Sequence, residues 1–155
     1  MGCQTWYIKG EDFQQWVVKI PHPTCESLYY NVNINEEFEE DNPLISFSIW
    51  IYYDNKNGKE ILNFKSVYLT KKECKLLTKM FNEFYENNNT QAMVIPDKFD
   101  EILRHWIRIS PEGNLLELSI YLGYKTDKRE KILGDVPFLM KKEDFKKVIE
   151  ILSNF

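Results

Sequence analysis

Hydrophobic and polar residues alternate along most of the first half of the chain, and this pattern predicts a series of β-strands. The clearest strand covers residues 44–53, where Phe47 and Ile49 fall on one face and Trp50 and Tyr52 fall on the other. Shorter runs of the same kind cover residues 6–8, 13–20, 28–34 and 61–69. Because turn-forming residues separate these runs, we expect them to pair as antiparallel hairpins.

After residue 70 the apolar spacing changes to that of an amphipathic helix. Thr70 is placed to cap the helix, and Glu73 lies three residues later, where its side chain can reach the Thr70 amide in a capping box. Apolar residues then recur at helical spacing at Cys74, Leu77, Phe81 and Phe84. The spacing predicts one helix over about residues 71–86 and a second over about residues 141–154.

The two predicted helices begin with similar sequences. Leu69-Thr70-Lys71-Lys72-Glu73 opens the first, and Leu139-Met140-Lys141-Lys142-Glu143 opens the second. Further strands are predicted over residues 116–122 and 132–139, and residues 97–106 predict a helical turn that leads into a strand. We therefore predict an α+β fold in one domain, residues 1–155, with an antiparallel sheet of hairpins covered by two helices. The prediction includes two similar strand-strand-helix halves. Their similarity is compatible with an ancient duplication and with convergence on one packing arrangement.

Composition and charge exclude several functional classes. The chain of 155 residues has a net charge of −4, which argues against a general nucleic-acid binder because such a protein needs a basic surface. No apolar run approaches the length of a membrane-spanning helix. The three cysteines are widely spaced, and the N-terminus has neither a basic nor an apolar signal segment. We expect a cytoplasmic protein with reduced thiols.

No motif in the sequence predicts catalysis or a cofactor. A zinc site needs about four ligands at regular spacings, and the glycines form no phosphate-binding loop, so we expect no metal and no cofactor. A catalytic histidine would have to be His22, which lies between two prolines, or His105, which lies on a predicted strand. Neither has a nucleophile motif near it, so we expect a protein that is not an enzyme.

The predicted binding site combines an acidic segment with exposed aromatic side chains. Five carboxylates are predicted to lie in a loop before the strand of residues 44–53: Glu36, Glu37, Glu39, Glu40 and Asp41. Their mutual repulsion would be relieved by a basic protein partner. Trp50 and Tyr52 lie on the face opposite the main core, where most aromatic side chains are expected under the helices and one or two are expected to remain exposed for binding.

The order of elements, the Leu69-Thr70-Lys71-Lys72-Glu73 helix start and the final helix ending at Phe155 resemble the WapI-like immunity proteins of polymorphic and contact-dependent toxin systems. That resemblance implies a cytosolic, acidic inhibitor without enzymatic activity that binds a toxin domain, often a basic nuclease. Two other hypotheses stay open. One is a small enzyme or small-ligand binder with a cleft between the sheet and the loop of residues 21–25, using His22 or His105, and the other is a homodimeric structural protein.

Overall fold

A computed structural model describes residues 3–10, 13–39, 42–126 and 129–155, and for residues 37–39, 42, 125–126 and 129–136 it describes only the backbone. Nine strands and two helices follow one another within these ranges. They are β1 (Gln4–Lys9), β2 (Gln14–Pro21), β3 (Leu28–Glu39), β4 (Asn42–Asn55), β5 (Gly58–Leu69), α1 (Lys71–Asn87), β6 (Gln91–Pro96), β7 (Leu103–Glu112), β8 (Leu115–Thr126), β9 (Arg129–Lys141) and α2 (Lys142–Leu152).

The strands form two antiparallel sheets rather than one. The N-terminal sheet has the order β1-β2-β3-β4-β5, and the C-terminal sheet has the order β6-β7-β8-β9. Neighbours in each sheet are neighbours in sequence, so every connection within a sheet is a hairpin or a short loop. The α+β class, the antiparallel hairpins and the two helices are therefore as predicted. Each sheet is followed by one helix, which is the repeated arrangement expected from the sequence.

Helix α1 begins with the predicted capping box. The Glu73 amide donates to Thr70 Oγ1 at 3.1 Å, and the Thr70 amide donates to Glu73 Oε1 at 2.9 Å. The helix ends at Asn87, and Asn88 caps it in the left-handed conformation (φ 55°), where its amide donates to the Phe84 carbonyl. Helix α2 begins at Lys142, and no side chain caps it. The resemblance between the two helix starts therefore does not extend to the cap.

One continuous hydrophobic core joins the two sheets through the helices. Helix α1 contacts strands of both sheets, and α2 contacts strands of both sheets and α1. At the centre, Phe145 of α2 meets Phe81 of α1 edge to face, with ring centroids 4.9 Å apart. Tyr30 of β3 and Phe138 of β9 make a similar contact directly between the sheets. The buried faces of β3 and β4, which include Ile34 and Phe47, complete this core.

The structure differs from the sequence prediction in three segments. The first part of the predicted acidic loop, Glu36 to Glu39, belongs instead to β3, which pairs there with the start of β4 at Asn42, while Glu40 and Asp41 lie outside the described residues. Strand β6 was not predicted, and it extends the C-terminal sheet beyond β7. Residues 97–102 form a non-helical turn in which Asp97 Oδ2 accepts hydrogen bonds from the amides of Phe99 and Asp100.

In the described part of the chain, neither helix is long and apolar enough to cross a membrane.

Candidate functional site

Two pairs of stacked aromatic rings lie on the face of the N-terminal sheet that points away from the helices. Trp50 of β4 stacks on its cross-strand partner Phe64 of β5, with ring centroids 4.4 Å apart and planes inclined by 14°. Tyr52 of β4 stacks on its partner Tyr29 of β3 at 5.2 Å and 9°. Strand alternation places Trp50 and Tyr52 here because they follow Phe47, which faces the core, by odd numbers of residues. We call these four residues the aromatic patch.

The aromatic patch is ordered by its neighbours, and it is accessible at Phe64, Trp50 and Tyr52, whereas Tyr29 is only 6% exposed. The Trp50 indole N–H donates to Ser48 Oγ at 3.3 Å, which fixes the ring orientation, and the side chain is half-buried. Phe64 remains 51% exposed, and Ile61, which pairs with Tyr52, remains 52% exposed. Rings that are held in place before binding lose little conformational entropy in a complex. Trp50 and Tyr52, the two aromatic residues predicted to contact a partner, lie on this face and are half-buried.

Lysine side chains border the aromatic patch. Lys19 Nζ lies 4.3 Å from the centroid of the Tyr29 ring, and Lys59 Nζ lies 6.0 Å from the same centroid. Both positions are within the range of cation–π contacts. The neighbouring residues Asn31 and Ser48 on this face are uncharged. The surroundings of the patch therefore hold two lysines and one carboxylate, Asp54, which follows Tyr52 by two residues and pairs across the strands with Lys59.

Glu36, the first residue of the predicted acidic site, is buried and has partners within the chain. It follows Ile34 on the core side of β3 and is only 8% exposed. Its carboxylate accepts from Gln14 Nε2 at 3.3 Å and pairs with Lys71 Nζ at 3.5 Å. These contacts join β3 to β2 and to the start of α1. The Glu36 carboxylate therefore stabilises the fold and is not exposed for binding a partner.

The backbone of the acidic segment lies apart from the aromatic patch along the N-terminal sheet. Glu37 and Glu39 belong to the β3 backbone and pair with β4, while their side chains, together with Glu40 and Asp41, lie outside the described residues. Glu36 pairs with Ile45, and Trp50 is five residues further along β4. At about 3.4 Å per residue, the separation of Glu36 from Trp50 along the strand is roughly 17 Å. Glu36 and the aromatic patch are therefore not parts of one contact surface.

His22 lies at the mouth of a cleft between the two sheets. Its Nδ1 accepts hydrogen bonds from the backbone amides of Thr24 and Cys25, at 3.2 and 3.1 Å. An acceptor nitrogen has no proton, so Nε2 holds the ring N–H. Burial lowers the pKa of His22 below its ordinary value, which favours this neutral form. The cleft encloses about 350 Å³ and is also lined by Tyr30.

His105 is buried and paired. Its Nε2 lies 2.8 Å from Asp97 Oδ1, and the residue is only 7% exposed. Burial tends to raise the pKa of Asp97, but the hydrogen bonds from His105 and from the Phe99 and Asp100 amides outweigh it, so this pKa is lowered. Within the described residues His105 Nδ1 has no hydrogen-bond partner. The pair holds the turn of residues 97–102 against β7.

Two of the three thiols belong to the interior. Cys74 is fully buried, and burial raises the pKa of its thiol to about 11. Burial and the Asp144 carboxylate, which accepts from Cys3 Sγ at 3.2 Å, raise the pKa of Cys3 to about 12. Among the residues that the structure describes, no three His, Cys, Asp or Glu side chains converge as metal ligands.

Sequence reasoning did not identify Tyr29 and Phe64 as partners of Tyr52 and Trp50. The two partners follow from hairpin register, since each pair sits directly opposite across neighbouring strands. The small-ligand hypothesis did place a cleft beside His22, but it gave no signal for the opposite wall, which comes from the C-terminal sheet. Comparison with models of known protein families and with curated protein sequences finds no match for this chain.

Proposed function

We propose that this chain is a protein-binding module without enzymatic activity, and that it acts in the cytosol as an immunity-type inhibitor of a cognate toxin domain. The observation that supports binding is the aromatic patch, in which Trp50 and Phe64 are stacked at 4.4 Å and Phe64 is half exposed. Ordered aromatic side chains at the centre of a contact contribute a large share of binding free energy in protein complexes. Exposed Ile61 extends the apolar area beside them.

The partner that we propose is a basic protein domain. Support for its charge comes from the whole chain, whose net charge is −4, rather than from the patch, which lies beside Lys19 and Lys59. We propose that the acidic residues Glu37, Glu39, Glu40 and Asp41 steer the partner by long-range attraction. In this scheme the aromatic patch sets the lifetime of the complex, and the carboxylates raise its rate of formation.

Capture from a cell lysate with two matched tryptophan variants tests the patch. Trp50→Ala removes the stacked ring, and Trp106→Ala removes a half-buried tryptophan from the C-terminal sheet. We expect a specific partner to be retained by the wild type and by Trp106→Ala and to be lost with Trp50→Ala. For a hot-spot residue the loss is about 2 kcal/mol or more, roughly thirtyfold in Kd. Equal retention by both variants, or no retained protein, contradicts the proposal.

A second variant tests the steering role separately. Changing Glu37, Glu39, Glu40 and Asp41 to amides leaves Glu36 and its internal partners intact. We expect a slower association rate and a flatter dependence of that rate on salt, with little change in the dissociation rate. An unchanged association rate at low salt would remove the acidic segment from the mechanism while leaving the aromatic patch as the binding surface.

A further inference from the structure

The cleft beside His22 has two carboxylates in its lining and no cationic side chain. Its polar lining consists of His22, Tyr30, Glu112 and Glu117, and the first two come from the N-terminal sheet side while the glutamates come from β7 and β8. Neither glutamate forms an ion pair within the described part of the chain, and Glu117 accepts one hydrogen bond, from Ser119 Oγ at 3.2 Å. Glu112 is exposed at the rim of the cleft and Glu117 is half-buried, so the lining holds two carboxylates with no cationic partner among the described side chains.

His22 does not compensate these charges. Its Nδ1 accepts two backbone amides, so the ring is neutral with its single proton on Nε2. Burial disfavours the imidazolium form further and lowers its pKa. The imidazole thus offers the cleft an N–H donor and an aromatic edge, but no positive charge.

The rest of the lining is apolar. Leu28 and Ile51 lie on the side of the N-terminal sheet, and Pro137 and Leu139 of β9 lie opposite. Tyr30 joins the two sides, because its ring is almost fully buried and its hydroxyl has a backbone hydrogen bond at Leu139. A volume of about 350 Å³ is in the range of small-molecule sites. Apolar walls of this kind accommodate a hydrocarbon or aromatic body.

We propose that this cleft binds an organic cation, an ammonium or guanidinium group attached to a short apolar body. The cationic group would lie at Glu112 and Glu117, and the body would lie against Leu28, Ile51 and Leu139. A metal ion fits the lining less well, because no three acidic, histidine or cysteine side chains among the described residues converge on one point. The same chemistry is offered by a free small amine and by a lysine or arginine side chain of a protein.

This site is independent of the proposed partner surface. None of the four residues of the aromatic patch lines the cleft. If the cleft binds no cation, the loss of partner binding expected for Trp50→Ala still stands. If Trp50→Ala retains the partner, the proposal of a cation site in the cleft still stands.

Calorimetric titration with phenethylammonium tests the site, and 2-phenylethanol is the uncharged analogue of the same shape. We expect saturable binding of the ammonium, with the alcohol at least tenfold weaker. The variant Glu112→Gln/Glu117→Gln should weaken ammonium binding at least tenfold. Its matched control is Glu83→Gln/Glu86→Gln, which removes two exposed charges from α1 and should leave binding unchanged.

Three results would overturn the proposal. They are no saturable binding of either phenethylammonium or the capped arginine and lysine amides up to about 10 mM, equal affinity of a bound cation and its uncharged analogue, and equal weakening by the cleft variant and the α1 control. Capped arginine and lysine amides separate the two sources of the cation. Binding of these amides but not of phenethylammonium would show a site for protein side chains, whereas the opposite result would show a small-molecule site.

Discussion

Lys98 Nζ lies 2.7 Å from Glu73 Oε1, the carboxylate oxygen that also accepts the hydrogen bond of the Thr70 amide. Glu73 belongs to the first turn of α1, which follows the N-terminal sheet, and Lys98 belongs to the turn between β6 and β7 of the C-terminal sheet. Both side chains are more than four-fifths buried. One carboxylate therefore caps a helix and also links the two halves of the fold, and its burial reduces screening of the ion pair by salt.

Replacing Glu73 should cost more stability than replacing Thr70. We expect Thr70→Ala to lower the free energy of unfolding by about 1 kcal/mol, because it removes one capping bond. Glu73→Ala removes the other capping bond and also leaves Lys98 without its carboxylate, with only the Pro96 carbonyl still accepting from Nζ, so we expect a loss of about 2–3 kcal/mol. Urea denaturation measures both, with the exposed Glu83→Ala of α1 as the control. Equal losses for Thr70→Ala and Glu73→Ala would mean that the Lys98 contact contributes nothing.

The Asp97–His105 pair predicts a specific dependence of stability on pH. The pKa of Asp97 in the folded protein lies below its ordinary value of 3.8, so the ionised carboxylate stabilises the fold at neutral pH. That contribution is complete above the ordinary pKa and is lost as the pH falls through the lower folded value. We therefore expect the stability difference between wild type and Asp97→Asn to be largest at pH 7 and to shrink below about pH 5.

Urea midpoints measured between pH 7 and pH 3 check this expectation. Asp54→Asn removes a charge of the same kind from an exposed position at the end of β4 and controls for the general effect of net charge. A stability difference between wild type and Asp97→Asn that stays constant with pH would show that the Asp97 carboxylate does not titrate differently in the folded and unfolded states.

Local signals were sufficient to predict much of the fold. The capping box depends on Thr70 and Glu73 alone, and the two faces of β4 follow from alternation, so both were predictable from a short window. Strand β6 was missed because Gln91 and Ala92 follow an asparagine run and give weak strand propensity, and pairing with β7 decides its conformation.

The candidate site was predictable only in part, because its geometry depends on contacts between distant segments. Trp50 and Tyr52 were placed on the correct face, but the partners of their rings depend on strand register. The acidic segment was predicted as a loop from its charge. Pairing with β4 and the contacts of Glu36 with Gln14 and Lys71 override that local preference.

Glu36 should affect stability without affecting partner binding. Glu36→Ala leaves the Gln14 amide and the Lys71 ammonium without their acceptor, at the point where β3 meets β2 and α1. We expect the free energy of unfolding to fall by about 1–2 kcal/mol. Affinity for the proposed partner, measured where the variant is still folded, should match the wild type. If folded Glu36→Ala binds the partner more weakly and its stability is unchanged, then Glu36 contacts the partner and this prediction is wrong.

Thiol chemistry should distinguish Cys25 from the other two cysteines. At pH 8, a pKa of about 12 for Cys3 and about 11 for Cys74 leaves thiolate fractions of roughly 10⁻⁴ and 10⁻³. Cys25 lies half-buried in the loop between β2 and β3, without a carboxylate bound to its sulfur. We expect an aromatic disulfide reagent to modify Cys25 first and to reach the other two thiols only as the protein unfolds. The fast phase of modification by the reagent should disappear in Cys25→Ser and persist in Cys3→Ser. A fast phase that disappears in Cys3→Ser instead would contradict the hydrogen bond between Cys3 and Asp144.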